Sequence, residues 1–429
     1  MQKNNPKVIK AWTWYDWANS VYSLTITTAI FPIYYNGVTT VNGSDLVMLF
    51  GREFKNSSLY SYSLSVSFLL VALLSPLLSG IADYKGNKKA FMQFFCILGS
   101  ISCAALYFFK DVNDLEIGLL AFILASVGWA GSIVYYNAFL PEIATKDKQD
   151  QVSARGFALG YIGSSLLLIV NLIMVMMPAT FGLSGAGEAS RISFAMTGVW
   201  WLGFAFYTFR YLPDKTSQNK FHGNLVAHGF SELRKVFKQV KGMPALYRFL
   251  FSFFFYNMGV QTVMYVASLF GAKELKMADG ELIATVLIIQ FVAIGGAFLF
   301  SFISKKAGNI KALILAVCVW ILICCIAYFV YTSIQFYGLA FTVGMVMGGI
   351  QSLSRSTYSK MLPATDDHAS FFSFYDVCDK VGLVVGTASY GFIEELTGSM
   401  RNSIFALALF FAIGLISLLS IKNLKVSND

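Results

Sequence analysis

Apolar residues gather in twelve long runs separated by short polar breaks. The runs lie at about Ala11–Tyr35, Leu59–Ile81, Ala90–Phe109, Ile117–Leu140, Ser153–Met177 and Ile192–Tyr211. After a longer polar stretch come Phe249–Phe270, Leu282–Ile303, Ala312–Ser333, Phe336–Tyr358, Phe371–Ile393 and Ile404–Ile421. A helix rises about 1.5 Å per residue, so roughly 20 apolar residues cross a hydrocarbon core and each run predicts a transmembrane helix. Only Ile334 and Gln335 separate the ninth run from the tenth; one helix over their 47 residues would cross twice, so two are expected. Lys3, Lys7 and Lys10 precede the first run, but that run holds Asp16 and lacks a small-residue cleavage signal, so the first helix is expected to be retained.

Composition agrees with the pattern. Of 429 residues 56% are hydrophobic and 13% charged, against about 25% charged in soluble domains, which excludes a large soluble catalytic domain. The net charge of +9 sorts by loop: twenty-two Lys and Arg fall at the termini and in the loops on their side, seven in the loops opposite. Positive residues collect on the cytoplasmic side, so the chain is expected to be a multi-pass protein of the cell (inner/plasma) membrane with both termini cytoplasmic. The basic excess is then an orientation device and gives no reason to expect nucleic acid. The six cysteines lie in apolar stretches without CxxC or metal spacing and read as packing residues. The central linker, 212–246, repeats Phe230, Leu233, Phe237 and Val240 beside Arg234, Lys235, Lys238 and Lys241, which predicts an amphipathic helix along the inner leaflet. His222 and His228 there are too isolated for a metal site, and His368 falls in another loop.

An internal repeat sets the architecture. Ile81, Gly86, Asn87, Lys89 and Ala90 recur as Ile303, Gly308, Asn309, Lys311 and Ala312; the same offset of 222 relates Tyr136, Leu140 and Pro141 to Tyr358, Leu362 and Pro363, and Gly160 to Gly382. The expected fold is an all-α integral membrane protein of about twelve spans in two six-helix bundles, residues 1–211 and 247–429. Parallel repeats of this kind belong to transporters whose halves rock about a site between them.

Charges inside the runs are few: Asp16, Arg155, Arg355, Asp376, Asp379 and Lys380. Such residues are costly in a membrane and mark pathways or pairs. All six are expected in the cytoplasmic third, where three acids and three bases would form an inner gate. Asp16 heads a polar stripe with Ser20, Ser23 and Thr27, beside Asn19; it reads either as the proton- or cation-coupling carboxylate or as a helix-end acid favoured by the dipole. Asp376 and Lys380, four apart, are expected to pair locally and leave Asp379 freer. Arg355 shares a helix face with Gly344, Gly348, Gln351 and Tyr358 and can bridge to Asp16 or hold a carboxylate. Arg155 precedes the small-residue face Gly156, Gly160 and Gly163.

Near the midplane the polar groups are uncharged: Tyr22, Ser67, Ser164, Asn257, Gln261, Tyr265 and Gln290. The candidate solute-binding set is Asn19, Tyr22, Asn137, Asn257, Gln261, Gln290 and Gln351, which suits a modest polar or zwitterionic small molecule. Neither a P-loop nor HExxH is present, and no histidine is expected in the membrane, so no catalytic set, metal or cofactor is expected. Transport would run on a gradient, with protons as the candidate coupling ion and a monomer as the working unit.

The loop Ser79–Lys89 resembles the cytoplasmic loop of the major facilitator superfamily, with Asp83, Gly86 and Lys88 in register, Ser79 in place of the leading Gly and Asn87 in place of a basic residue. The resemblance implies that Asp83 locks the inner side. The strings YDWANS (Tyr15–Ser20), YNAFLPEI (Tyr136–Ile143), SARGFALGYIGS (Ser153–Ser164), QSLSRSTYSKMLP (Gln351–Pro363) and FFSFYDVCDK (Phe371–Lys380) resemble the family of the autophagy-related vacuolar amino-acid effluxer and its bacterial relatives, with Ser373 and Thr387 standing where Gly and Pro are expected. That implies export of neutral amino acids in fungal members. Two other readings are an exporter of hydrophobic compounds or drugs, suggested by 40 Phe, 22 Tyr and 15 Met, and a non-transporting membrane sensor.

Overall fold

The structure, a computed structural model, describes residues 3–214 and 225–421. The first bundle runs α1 (Pro6–Val21), a π-helical stretch (Tyr22–Ala29), α2 (Ile30–Thr39), α3 (Asn56–Lys85), α4 (Lys88–Ala105), α5 (Leu115–Ala138), the short α6 (Leu140–Ile143), α7 (Gln149–Met176) and α8 (Ala186–Tyr211). The linker helix α9 (Leu225–Gly242) follows. The second bundle is α10 (Pro244–Glu274), α11 (Asp279–Ala307), α12 (Asn309–Ala327), α13 (Ser333–Met361), α14 (His368–Thr397) and α15 (Met400–Leu419). Among the described residues ten helices are long and apolar enough to cross a membrane. The composite α1–α2 segment and the more polar α14 complete the twelve spans of two six-helix bundles.

Each local departure from plain α-helix has a chemical cause. Pro32 has no N–H for the carbonyl of Thr28, and the β-branched run Thr25–Thr28 helps little; the helix loosens here into i→i+5 bonding, and Ile30 donates to the Thr25 carbonyl. Between α12 and α13 the break falls at 328–332, a few residues before the expected Ile334–Gln335. Thr332 accepts from the Gln335 backbone N–H while the Gln335 side chain reaches back to Thr332, a capping box that starts α13. The loop after α2 holds an unforeseen hairpin, β1 (Leu46–Leu49) with β2 (Arg52–Lys55), turning through Phe50 and Gly51, both at positive φ.

Asn4 bonds to Thr145, and the Ser420 carbonyl accepts from Arg248, so both ends of the described chain lie on one face, here the terminal face. Within the second bundle Gly344 and Gly348 of α13 lie against the backbone of Ile289 and Ala293 of α11, a close approach that any Cβ would obstruct.

The linker helix packs against α3 through one of its faces. Val236 and Val240 are buried, Leu233 is half-buried, and Phe230 and Phe237 are exposed, with Lys241 lying over the Phe237 ring. Lys235 bonds to Asp367 at 2.9 Å and Phe237 stacks on Phe374, so α9 touches both bundles. Helix α10 begins at Pro244, inside the segment expected to be linker. His222 and the side chain of His228 lie outside the described residues. His368, expected in a loop, is the first residue of α14.

Candidate functional site

The bundles meet at the terminal face through a layered polar seam. Innermost is Arg355 of α13, 3% exposed. Its Nη2 donates to Asp16 Oδ2 at 3.1 Å and to the Ser153 carbonyl at 2.9 Å, its Nε to Ser153 Oγ at 2.9 Å, and its Nη1 to Asn137 Oδ1 at 3.5 Å. The guanidinium lies against the rings of Phe157, Trp12 and Tyr136, whose weakly hydrated faces suit its planar charge. Tyr136 donates its hydroxyl to the same Asp16 oxygen at 2.7 Å. Asp16 is well inside α1, which starts at Pro6, so it is no helix-end acid. Gly156 makes the room: a Cβ there would meet the Asp16 carboxylate, Arg355 Nη2 and the Tyr136 hydroxyl.

Two outer knots flank this bridge. Asp83 accepts from the backbone N–H groups of Ala369 and Ser370 at 3.2 and 2.7 Å, so the end of α3 caps the start of α14. Lys88 pairs with Glu142, lies 3.5 Å from Asp83 and donates to the Asp366 carbonyl, and His368 sits 3.1 Å from Glu142. On the other flank Asp150, in the first turn of α7, accepts from Lys360 at 2.6 Å, Ser304 at 2.7 Å and Asn309 at 2.8 Å. Each knot ties an acid of the first bundle to the second.

Above the seam lies a cavity of about 320 Å³, within the ~300–1,000 Å³ typical of small-molecule sites. It runs from Asp16 and Arg355 to Phe270, Phe336 and Ile404 near the opposite ends of their helices. Asn19, Asn137, Asn257, Gln261, Gln290 and Gln351 all line it, as does the stripe Asp16, Ser20, Ser23 and Thr27. Among the described residues three buried lining atoms have no hydrogen-bond partner: Asn19 Nδ2, Trp129 Nε1 and Gln290 Oε1. Beyond mid-depth Tyr265 meets Thr27; among the described residues the other hydrogen bonds and ion pairs between the bundles gather toward the terminal face.

Several expectations need correction. Arg155 is exposed and, among the described residues, makes no ion pair; Ser153 and Gly156 face the second bundle and Arg155 points away, so it is no part of the seam. Asp379 and Lys380 are not in the terminal third. They sit near the middle of α14, with Lys380 over the rings of Trp129 and Phe68, half-way along their own helices. Asp379, expected to be freer, is the carboxylate Lys380 prefers: 2.5 Å against 3.5 Å to Asp376. Tyr22 leaves the solute-binding set, because its hydroxyl bonds Ser126 at 2.6 Å and its ring lies near Trp129 and Trp201, off the cavity wall. Ser67 likewise turns onto the Ser63 carbonyl of its own helix.

Comparison with known proteins fits this geometry. The family described as "Vacuole effluxer Atg22 like" matches residues 4–429, nearly the whole chain. The chain belongs to the Atg22-like family. The "Uncharacterized MFS-type transporter YxiO" of Bacillus subtilis (strain 168) is 31% identical over 420 residues, covering 97% of this chain and 95% of that protein. "Autophagy-related protein 22" of Yarrowia lipolytica is 25% identical over 450 residues, covering 84% and 75%. Among solved structures FucP, a major facilitator superfamily transporter in its outward conformation, superimposes with a TM-score of 0.72 at 11% identity, covering 98% of this chain and 99% of that one. This Atg22-like protein is therefore a multi-pass membrane transporter of the major facilitator superfamily, not an enzyme.

Tyr136, Glu142, Ser153, Asp150 and Lys360 are seam residues not foreseen in these roles, and Lys88, Ser304, Asn309 and His368 join them. Tyr136, Glu142, Ser153 and Lys360 lie inside the family strings, and that was their available signal. Asp150 had only its place at the start of a helix.

Proposed function

We propose that this Atg22-like protein is a secondary active transporter that exports a small polar solute, a neutral amino acid in the first instance, by alternating access driven by a proton gradient. Residues 1–211 and 247–429 are the moving halves, 212–246 joins them, and the terminal face is cytoplasmic in the cell membrane. The observation that carries the reading is the cavity into which six carboxamides are set among apolar residues, closed at one end by the Asp16–Arg355 bridge. A pair made across two bundles can break as they rock apart. In this reading Asp16, Arg355, Asp83 and the flanking knots are the gate, while Asn19, Asn137, Asn257, Gln261, Gln290 and Gln351 meet the solute. The lysine and arginine asymmetry supports the orientation, and the family description supports efflux.

The test is counterflow of labelled neutral amino acids in proteoliposomes. Saturable uptake that an imposed pH gradient accelerates is expected, and an Asp16→Asn variant should lose most of it. No counterflow with any neutral amino acid sinks the substrate assignment. The far part of the cavity is apolar, with Val263, Met264, Ile289, Phe336, Leu339 and Leu407, which favours a second reading, export of hydrophobic compounds. Drug hypersensitivity of a deletion strain without altered amino-acid release would select it.

A further inference from the structure

Asp376, Asp379 and Lys380 form a cluster whose charges do not cancel. Lys380 Nζ donates to Asp379 Oδ2 at 2.5 Å, and Asp379 Oδ1 accepts from Asn257 Nδ2 at 2.6 Å and Gln261 Nε2 at 2.9 Å. Both oxygens of Asp379 are thus occupied. Asp376 is different: one oxygen lies 3.5 Å from the shared ammonium and the other has no hydrogen-bond partner among the described residues, although the residue is only 4% exposed. Two carboxylates on one ammonium leave a net negative charge at the cavity wall, and on its buried side a bare carboxylate with an orphaned oxygen is strongly disfavoured. A proton on Asp376 removes that charge.

We propose that this cluster on α14 binds one exchangeable proton, held on Asp376, and that this proton, not one on Asp16, couples the transporter to a gradient. The proposal rests on the secondary-transport reading for its coupling role only. Asp16 is a poor carrier because Arg355 and Tyr136 already compensate it, and a proton there would strand a buried guanidinium. The titratable groups around Asp376 are Asp379, Lys380 and Cys378 on its own helix and Tyr135 on α5; Tyr265 of α10 faces the shared ammonium. None of these besides Lys380 supplies positive charge. Asp379 and Lys380 line the cavity and Asp376 sits behind them. A solute that engages Lys380 or Asp379 changes how the ammonium is shared, and so changes how firmly Asp376 keeps its proton.

The experiment counts protonated carboxyls by infrared difference titration of the full chain in lipid nanodiscs at neutral pH. The wild type should show one such group from this cluster. Asp376→Asn and Asp379→Asn should each remove it, because either leaves one acid on one ammonium. Lys380→Met should raise the count to two, and Asp16→Asn should leave it at one. The three cluster variants fail independently, so a misfolded one, detected by size exclusion, leaves the other two decisive. An unchanged band in Asp376→Asn, Asp379→Asn or Lys380→Met overturns the proposal. So does a wild type with no band whose thermal stability rises with Na⁺ when that of Asp376→Asn does not, which would assign the site to a metal cation. Flux separates this from the wider reading: solute movement equally responsive to pH in wild type and Asp376→Asn defeats the coupling role of this proton alone, whereas the expected bands without any flux defeat transport alone.

Discussion

Arg355 makes four hydrogen bonds and lies against three rings, so its removal isolates a buried partner rather than deleting one contact. Breaking a buried pair from one side costs about 3–5 kcal/mol. Arg355→Gln is therefore expected to lower the melting temperature in nanodiscs, and adding Asp16→Asn to recover part of that loss; no recovery would mean the pair is not coupled. Gly156→Ala should act on conformation more than on folding, since its Cβ enters the space of the bridge. Spin labels across the terminal face should then report a longer mean separation than in the wild type. Asp16 and Arg355 were legible in the sequence because charge is scarce in apolar runs. Scarcity does not say which way a side chain points: at about 100° per residue Arg155 lies opposite Ser153, on the outer face, where a long side chain can reach for the interface. Nor did helical spacing decide the partner of Lys380, because Asn257 and Gln261 on another helix hold Asp379 in place for it.

At the scale of elements, periodicity located the spans and the linker helix but did not show which side of that helix meets α3. Burial against α3 selects the small β-branched knobs Val236 and Val240, one turn apart, and leaves the bulkier Phe230 and Phe237 at the rim. Val236→Asp should free α9 and expose the linker to limited proteolysis, while conservative Val236→Ile should not. Lys235 is half exposed, and its hydrogen bonds to Asp367 and Glu232 hold its ammonium above the ordinary lysine value. A raised value is a contribution present below the unfolded lysine pKa, about 10.4, and lost only on the alkaline side. Docking of α9 should accordingly be flat between pH 6 and 8 when followed by the same proteolysis, and a change in that window would assign the latch to another group. The π-helical stretch escaped a reading based on 3.6-residue spacing, although Pro32 was its visible cause.

For the whole molecule the repeat was the strongest sequence signal: a constant offset through loops and helices requires two similar halves. It could not reveal how the halves meet, since contacts such as Asp150 with Lys360 join positions that the offset does not relate. Nearly all of those contacts lie at the terminal face, which makes this the state closed on that side. Cysteines placed at Gln290 or Gln261, on the cavity wall, are expected to react with a membrane-impermeant thiol reagent added from the opposite side, and a cysteine at Ser153 to stay protected from both. Labelling of the Ser153 position from the terminal side in the resting protein would contradict the closed arrangement.

The Asp16–Arg355 bridge also has a history within each molecule's synthesis. Its partners are 339 residues apart, so at about 5–20 residues per second the acid is made roughly 17–70 s before the arginine that neutralises it. Tyr136, which arrives much sooner, is the first donor available to it. A Tyr136→Phe chain would leave Asp16 without that early partner, and its mark should be slower membrane integration and faster degradation of the nascent chain, a defect of birth rather than of the finished protein.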